Sequence, residues 1–149
     1  MQYYLMKNIL KNIKIKIYKN INSVLLIRKV GDNVACIAEF GIIDEFEKDK
    51  DYSVQYEPQK YNCIAIDDNI LNDWWTELIL IKTYFNSYSR PNFALARWGV
   101  TLIPPESLED FYNIVLKDKR SKSSKELIDL MILLRKAISE NKFIIHYGV

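Results

Sequence analysis

Two runs rich in β-branched residues, Val24 to Val30 and Val34 to Phe40, are separated only by the turn-forming triplet Gly31-Asp32-Asn33. Apolar runs joined by so short a polar, glycine-containing connection read as a β-hairpin. That commits the chain to an antiparallel pair and excludes an all-helical fold. Further strand-like runs are Asn62 to Ile66, Trp98 to Ile103 and Phe143 to Tyr147, with Gly41 read as the end of the second hairpin strand. Helical spacing also appears. Leu71, Trp74, Trp75, Leu78, Ile81 and Phe85 predict a central helix from about Ile70 to Tyr88. Leu108, Phe111, Tyr112 and Val115 form a second stripe, and Leu127, Met131, Leu134 and Ile138 a third.

Punctuation supports these elements. Asp67-Asp68-Asn69 supplies capping oxygens before the first helix, and Pro105 suits the opening of the second, where its missing N–H does no harm. Ser123-Ser-Lys-Glu126 has the S-x-x-E spacing of a capping box, and Asn141 is a stop. The charged stretch Asp44 to Tyr52 reads as a short helix or an exposed loop. Residues 1–20 are ambiguous, because Ile13, Ile15 and Ile17 alternate with lysines while Leu5, Ile9, Ile13 and Ile17 recur every four residues. Strands gathered early, then helices mixed with single strands, favour an α+β fold: a hairpin-containing antiparallel sheet packed against about three α-helices. At 149 residues, one domain over 1–149 is expected, with 1–20 as a basic N-terminal segment.

Charge is sorted along the chain. Residues 1–30 hold seven Lys or Arg and no acid; residues 31–80 hold twelve acids against three Lys; residues 81–149 hold eleven bases against seven acids. A net charge of +2 thus conceals a middle third at −9. Such a field selects basic partners and hastens their arrival. Asp44, Glu45, Glu47, Asp49 and Asp51 are its densest part, either a solvated face or a recognition surface. Glu39, Glu57, Asp67, Asp68, Asp73 and Glu77 extend it, and the adjacent Asp67 and Asp68 either cap a helix or point at a basic ligand. Trp74 and Trp75 are core residues or, if one leans outward, an interface anchor.

Catalytic chemistry has little to draw on. His146 is the only histidine, it sits in an apolar run, and no nucleophile motif such as G-x-S-x-G accompanies it. An enzyme would have to use Asp67, Asp68 or His146, and no catalytic residue is assigned. Cys36 and Cys63 lie far apart and outside any CxxC pair, so neither a disulfide framework nor a metal site is expected, and no cofactor. No basic leader precedes a long apolar core, and no apolar run approaches the ~20 residues that span a bilayer. Leu78 to Ile81 is the best apolar run. A soluble cytoplasmic protein without membrane attachment is the expectation. Lys7, Lys11, Lys14, Lys16 and Lys19 suit phosphate contacts or a Lys-lined strand edge. Without an RNP, KH or zinc-finger signature, a nucleic-acid-binding module is the alternative reading, and direct nucleic-acid binding is not the main expectation.

The segments Ala35-Cys-Ile-Ala-Glu-Phe-Gly-Ile-Ile-Asp-Glu-Phe46, Tyr61-Asn-Cys-Ile-Ala-Ile-Asp-Asp68, Trp98-Gly-Val-Thr-Leu-Ile-Pro-Pro-Glu-Ser-Leu108 and Phe143-Ile-Ile-His-Tyr-Gly148 are shared in character with one group of proteins. Over most of residues 21–149 the chain resembles small bacterial immunity proteins of contact-dependent growth inhibition and related polymorphic toxin systems. The resemblance implies a non-enzymatic role: cytosolic, stoichiometric binding of the C-terminal toxin domain of a cognate effector. Many such toxins are nucleases with basic clefts, which an acidic inhibitor surface would occupy in place of phosphate.

Overall fold

The computed structural model describes residues 29–30, 33–34 and 36–148, and the chain divides after Cys36 into two units. In the first unit, β1 (Lys29–Val30) and β2 (Asn33–Val34) pair antiparallel, with Val30 opposite Asn33. This is the expected hairpin at its turn. Its start at Val24, like the basic segment 1–20, lies outside the described residues. The run expected to continue from Val34 to Phe40 is interrupted, and a new strand begins at Ile37.

The second unit is α+β. Strands β3 (Ile37–Ile43), β4 (Ile64–Asp67), β5 (Lys82–Phe85), β6 (Pro91–Phe93), β7 (Gly99–Ile103) and β8 (Phe143–Gly148) form one antiparallel sheet in the order β4-β3-β8-β7-β5-β6. The last strand of the chain lies inside the sheet, between β3 (Phe40 opposite His146) and β7 (Thr101 opposite His146). Side chains alternate across it. Ala38, Phe40, Ile42, Ile66, Ile103 and Ile144 face the helices, whereas Ile43, Val100, Leu102, Ile145 and Tyr147 face the other way.

On the first face lie α1 (Asp68–Asp73), α2 (Trp75–Leu78), α3 (Pro105–Lys117) and α4 (Lys125–Glu140). Leu108, Phe111 and Val115 of α3 and Leu127, Leu130, Leu134 and Ala137 of α4 are fully buried against the sheet. Each large side chain so buried contributes about 1.5 to 3 kcal/mol. Pro104 and Pro105 occupy the N-cap and first turn of α3, and Asn141 ends α4 in the left-handed region at φ 54°. A 3-10 turn, Lys119–Lys122, joins these two helices. Among the described residues no helix is long and apolar enough to cross a membrane.

Three local expectations are corrected. The single helix from Ile70 to Tyr88 is instead α1, a break at Trp74 (φ −92°, ψ 0°), α2 and then strand β5. Its second half, Lys82-Thr-Tyr-Phe85, is β-branched and aromatic. It gains ladder bonds to β6 and β7, and a buried hydroxyl bond from Thr83 to the Ala94 carbonyl (2.6 Å), none of which a solvent-facing helix would offer. The capping box is one residue out of register. Ser124, not Ser123, is the N-cap of α4 and makes no side-chain cap, while the Glu126 carboxylate accepts from the Asp67 amide (3.4 Å). Gly41 does not end its strand, which runs on to Ile43.

Gly41 is there because segment 44–63 folds back across the second face of the sheet. A Cβ at this position would lie 2.6 Å from the Tyr61 carbonyl oxygen and 2.7 Å from Cys63 Sγ. Gly41→Ala is therefore expected to lower stability by about 1 to 3 kcal/mol through overpacking. An unchanged urea midpoint would show that the segment is not seated on the strand as described.

Candidate functional site

Segment 44–63 is a loop without a helix of its own, and its apolar and charged residues are sorted by direction. Phe46 stacks on Phe143 (3.8 Å between ring centroids, 4° between planes) and on Tyr52, and meets Tyr88 edge-on. Tyr52 is buried; its hydroxyl accepts from the Glu47 amide (2.9 Å) and its own amide donates to the Asn86 carbonyl (2.8 Å). Further along, the Tyr56 hydroxyl donates to Glu39, and the Glu57 amide donates to the Tyr147 hydroxyl (3.3 Å). Phe46 and Tyr52 thus pin the five residues between them, of which Glu47, Lys48, Asp49 and Asp51 are exposed, and Glu45 is exposed just before Phe46.

Local cations answer part of that charge. Lys142 bonds Asp44 (2.8 Å), and Lys50 lies 3.7 Å from Glu47 and over the Tyr52 ring. The Lys142 contact holds the Asp44 carboxyl below its ordinary value; bonds from Ser53 do the same for Asp51. Among the described residues, Glu45 and Asp49 have no ion-pair partner. Beside them a cleft of about 320 Å³ opens, lined by Ile43, Asp44, Glu45, Glu47, Lys50, Tyr52, Lys60 and Tyr61. Its chemistry is charge recognition over an aromatic floor.

The other sequence-predicted residues lie elsewhere. Asp67 pairs with Ile37 at the start of β3, whereas Asp44 follows Ile43 at its end, a separation of roughly 20 Å along the strand. Asp67 accepts from the Asn69 amide (2.9 Å) as the N-cap of α1, and half-buried Asp68 opens that helix. Asp73 is paired with Arg120 (3.0 Å). Trp74 is core: it is 5% exposed, packs against Phe111, and its Nε1 donates to Asp118 (2.8 Å). Trp75 is half-buried beneath the Arg97 guanidinium, 4.0 Å from the ring. The ten residues therefore do not form one surface. Only the 44–51 group converges, because the sheet stands between it and α1. His146 is buried beside Phe40 (4.7 Å between rings), far from solvent.

Two polar clusters join residues that the sequence leaves far apart. Asp118 accepts from Arg120 and from Trp74, so its carboxyl is held well below the usual range, chiefly by the Arg120 bonds. Arg120 also reaches Asp73, tying the turn after α3 to α1. The second is Glu39, set beneath the loop. Burial raises its carboxyl above the ordinary value, and the bond from Tyr56 only partly offsets this. Glu39 also acts on the Cys63 thiol, which burial foremost pushes up to about 12, leaving it protonated and a poor nucleophile. In the sequence Glu39 counts only as one more acid of the middle third.

Asp118→Ala would leave the Trp74 indole N–H buried without its acceptor, and a loss of about 1 to 3 kcal/mol in urea unfolding is expected. The stability supplied by the wild-type carboxylate is present above its unfolded value, near 3.8, and disappears as pH falls through the lower folded value. Glu39 has the opposite sign: the unfolded chain releases this proton near 4.5 while the folded chain retains it, so rising pH costs stability from there upward. Glu39→Gln should flatten the thermal midpoint between about pH 4.5 and 7. Parallel wild-type and variant profiles would exclude that contribution.

No family model, curated protein or solved structure matches the chain.

Proposed function

We propose that this protein is an immunity protein of the contact-dependent growth inhibition or polymorphic toxin type. It acts in the cytoplasm, without catalysis, by binding the C-terminal toxin domain of a cognate effector in a stoichiometric complex. The observation that carries this reading is the carboxylate loop: among the described residues Glu45 and Asp49 have no ion-pair partner and both stand exposed, Asp49 between the anchored rings of Phe46 and Tyr52 and Glu45 immediately before them. A charged surface held in place in advance loses little conformational freedom on binding. Its unbalanced carboxylates steer a basic partner toward it and compete for groups that otherwise hold phosphate. A nuclease cleft fits that description, and occluding it suffices for protection.

The test uses the C-terminal domain of a candidate effector, sought in the neighbouring reading frames. Co-expression with the full chain should restore growth, and stopped-flow mixing should show an association rate that falls roughly tenfold or more between low and high salt. The double variant Glu45→Lys, Asp49→Lys should reduce that rate similarly while retaining the wild-type circular dichroism spectrum. Failure to bind and to protect would overturn the reading. Binding indifferent to salt and to the double variant would remove the loop from it.

A further inference from the structure

The helix-covered side of the molecule carries an apolar groove that the acidic loop does not reach. On one wall, α3 presents Asp110, Asn113, Ile114 and Lys117, the i, i+3, i+4, i+7 positions of a single face. On the other, α2 and the turn after it present Glu77, Leu80 and Ile81. Ile81 and Ile114 are buried and form the floor, while Leu80 (78% exposed) and Leu116 (50% exposed) stand at the lips. Large apolar side chains left this open around a concave site, within a polar rim, offer apolar area that a partner's side chains can bury. The groove encloses about 590 Å³, and residues 110 to 117 run about 10 Å along α3, two turns of a partner helix.

Charge identifies the occupant. Lys117 is engaged by Glu77 (3.8 Å), and among the described residues Asp110 has no ion-pair partner. Two carboxylates against one committed lysine leave the rim negative. A second copy of this chain docked by two-fold symmetry would bring the same excess of carboxylates against itself. We infer that the groove formed by Leu80, Ile81, Ile114 and Leu116 binds an amphipathic helix of a partner protein, its apolar stripe in the groove and a Lys or Arg against Asp110. This is helix-in-groove recognition with anchors at i, i+3 or i+4, and i+7. It is independent of the acidic loop, which lies across the opposite face of the sheet.

The full chain is titrated into a fluorescein-labelled synthetic helix carrying Leu at i, i+3, i+4 and i+7 and Lys elsewhere, and anisotropy is read. Saturable one-to-one binding is expected. Leu80→Ser and Asp110→Lys should each weaken it by about tenfold or more, as expected for an anchor and its charge partner. Both residues are exposed, so the variants should keep the wild-type thermal midpoint, measured alongside. A peptide with Glu in place of Lys should bind correspondingly less tightly, and the Glu45→Lys, Asp49→Lys variant should bind the Lys peptide as the wild type does. No saturable binding, equal binding of the Glu peptide, indifference to Leu80→Ser, or loss through the loop variant would each overturn the inference. So would a concentration-dependent dimer in sedimentation that Leu80→Ser abolishes, which would assign the groove to a second copy.

Discussion

The sheet has two apolar faces, and among the described residues helices cover only one of them. Everything on the other side depends on the stacking of Phe46 against Phe143, with Tyr52, Tyr61 and Tyr88 around it. Left bare, Ile43, Val100, Leu102 and Ile145 would form a contiguous wet apolar surface of the kind that drives association. The loop that covers them buries its rings and a few well-placed hydroxyls, and has to present its charged residues to solvent because no other direction is open. The acidic loop is thus the outer side of a structural cover, held in one conformation by the rings beneath it.

That arrangement separates two kinds of carboxylate. Asp118, Asp73 and Glu39 work inside the architecture: the first two bridge α1 to the turn after α3 through Arg120, and the third anchors Tyr56 at the loop and sheet boundary. Among the described residues, Glu45, Asp49 and Asp110 have no ion-pair partner. A charge without an internal partner at an exposed rim adds little to stability. It is available to a partner, and among the described residues such charges flank apolar surface at the loop and at the α3 groove. They lie on opposite sides of the sheet, so one partner could engage one without obstructing the other.

Much of the fold was legible in the residues. Pro104-Pro105, the Asp67 cap and the Asn141 stop all act through local backbone chemistry and stand where expected, and the hairpin pairs with Asn33 taken from its expected turn into the second strand. Nonlocal effects misled. Lys82 to Phe85 keeps helical spacing with Leu78 and Ile81, yet hydrogen bonds from β6 and β7 make it a strand. Ser123 and Glu126 have capping-box spacing, but the packing of α4 sets its start one residue later. The candidate site divided in the same way. The clustering of acids at 44–51 is a property of consecutive residues and survived folding, whereas its extension to Asp67, Asp68, Asp73 and Trp74 relied on closeness in sequence across a strand that carries them to its far end.

Taken alone, the amino-acid order determined the class of the fold, the N-terminal end of α3 and the C-terminal end of α4, and a short span in which acids outnumber bases, since each follows from neighbouring residues and their periodicity. Tertiary structure decided that β8 sits inside the sheet, that Gly41 yields to a covering loop, that Trp74 is interior and that Leu80 is not. Those outcomes depend on which distant segments meet, and burial is a property of the meeting, not of the residue.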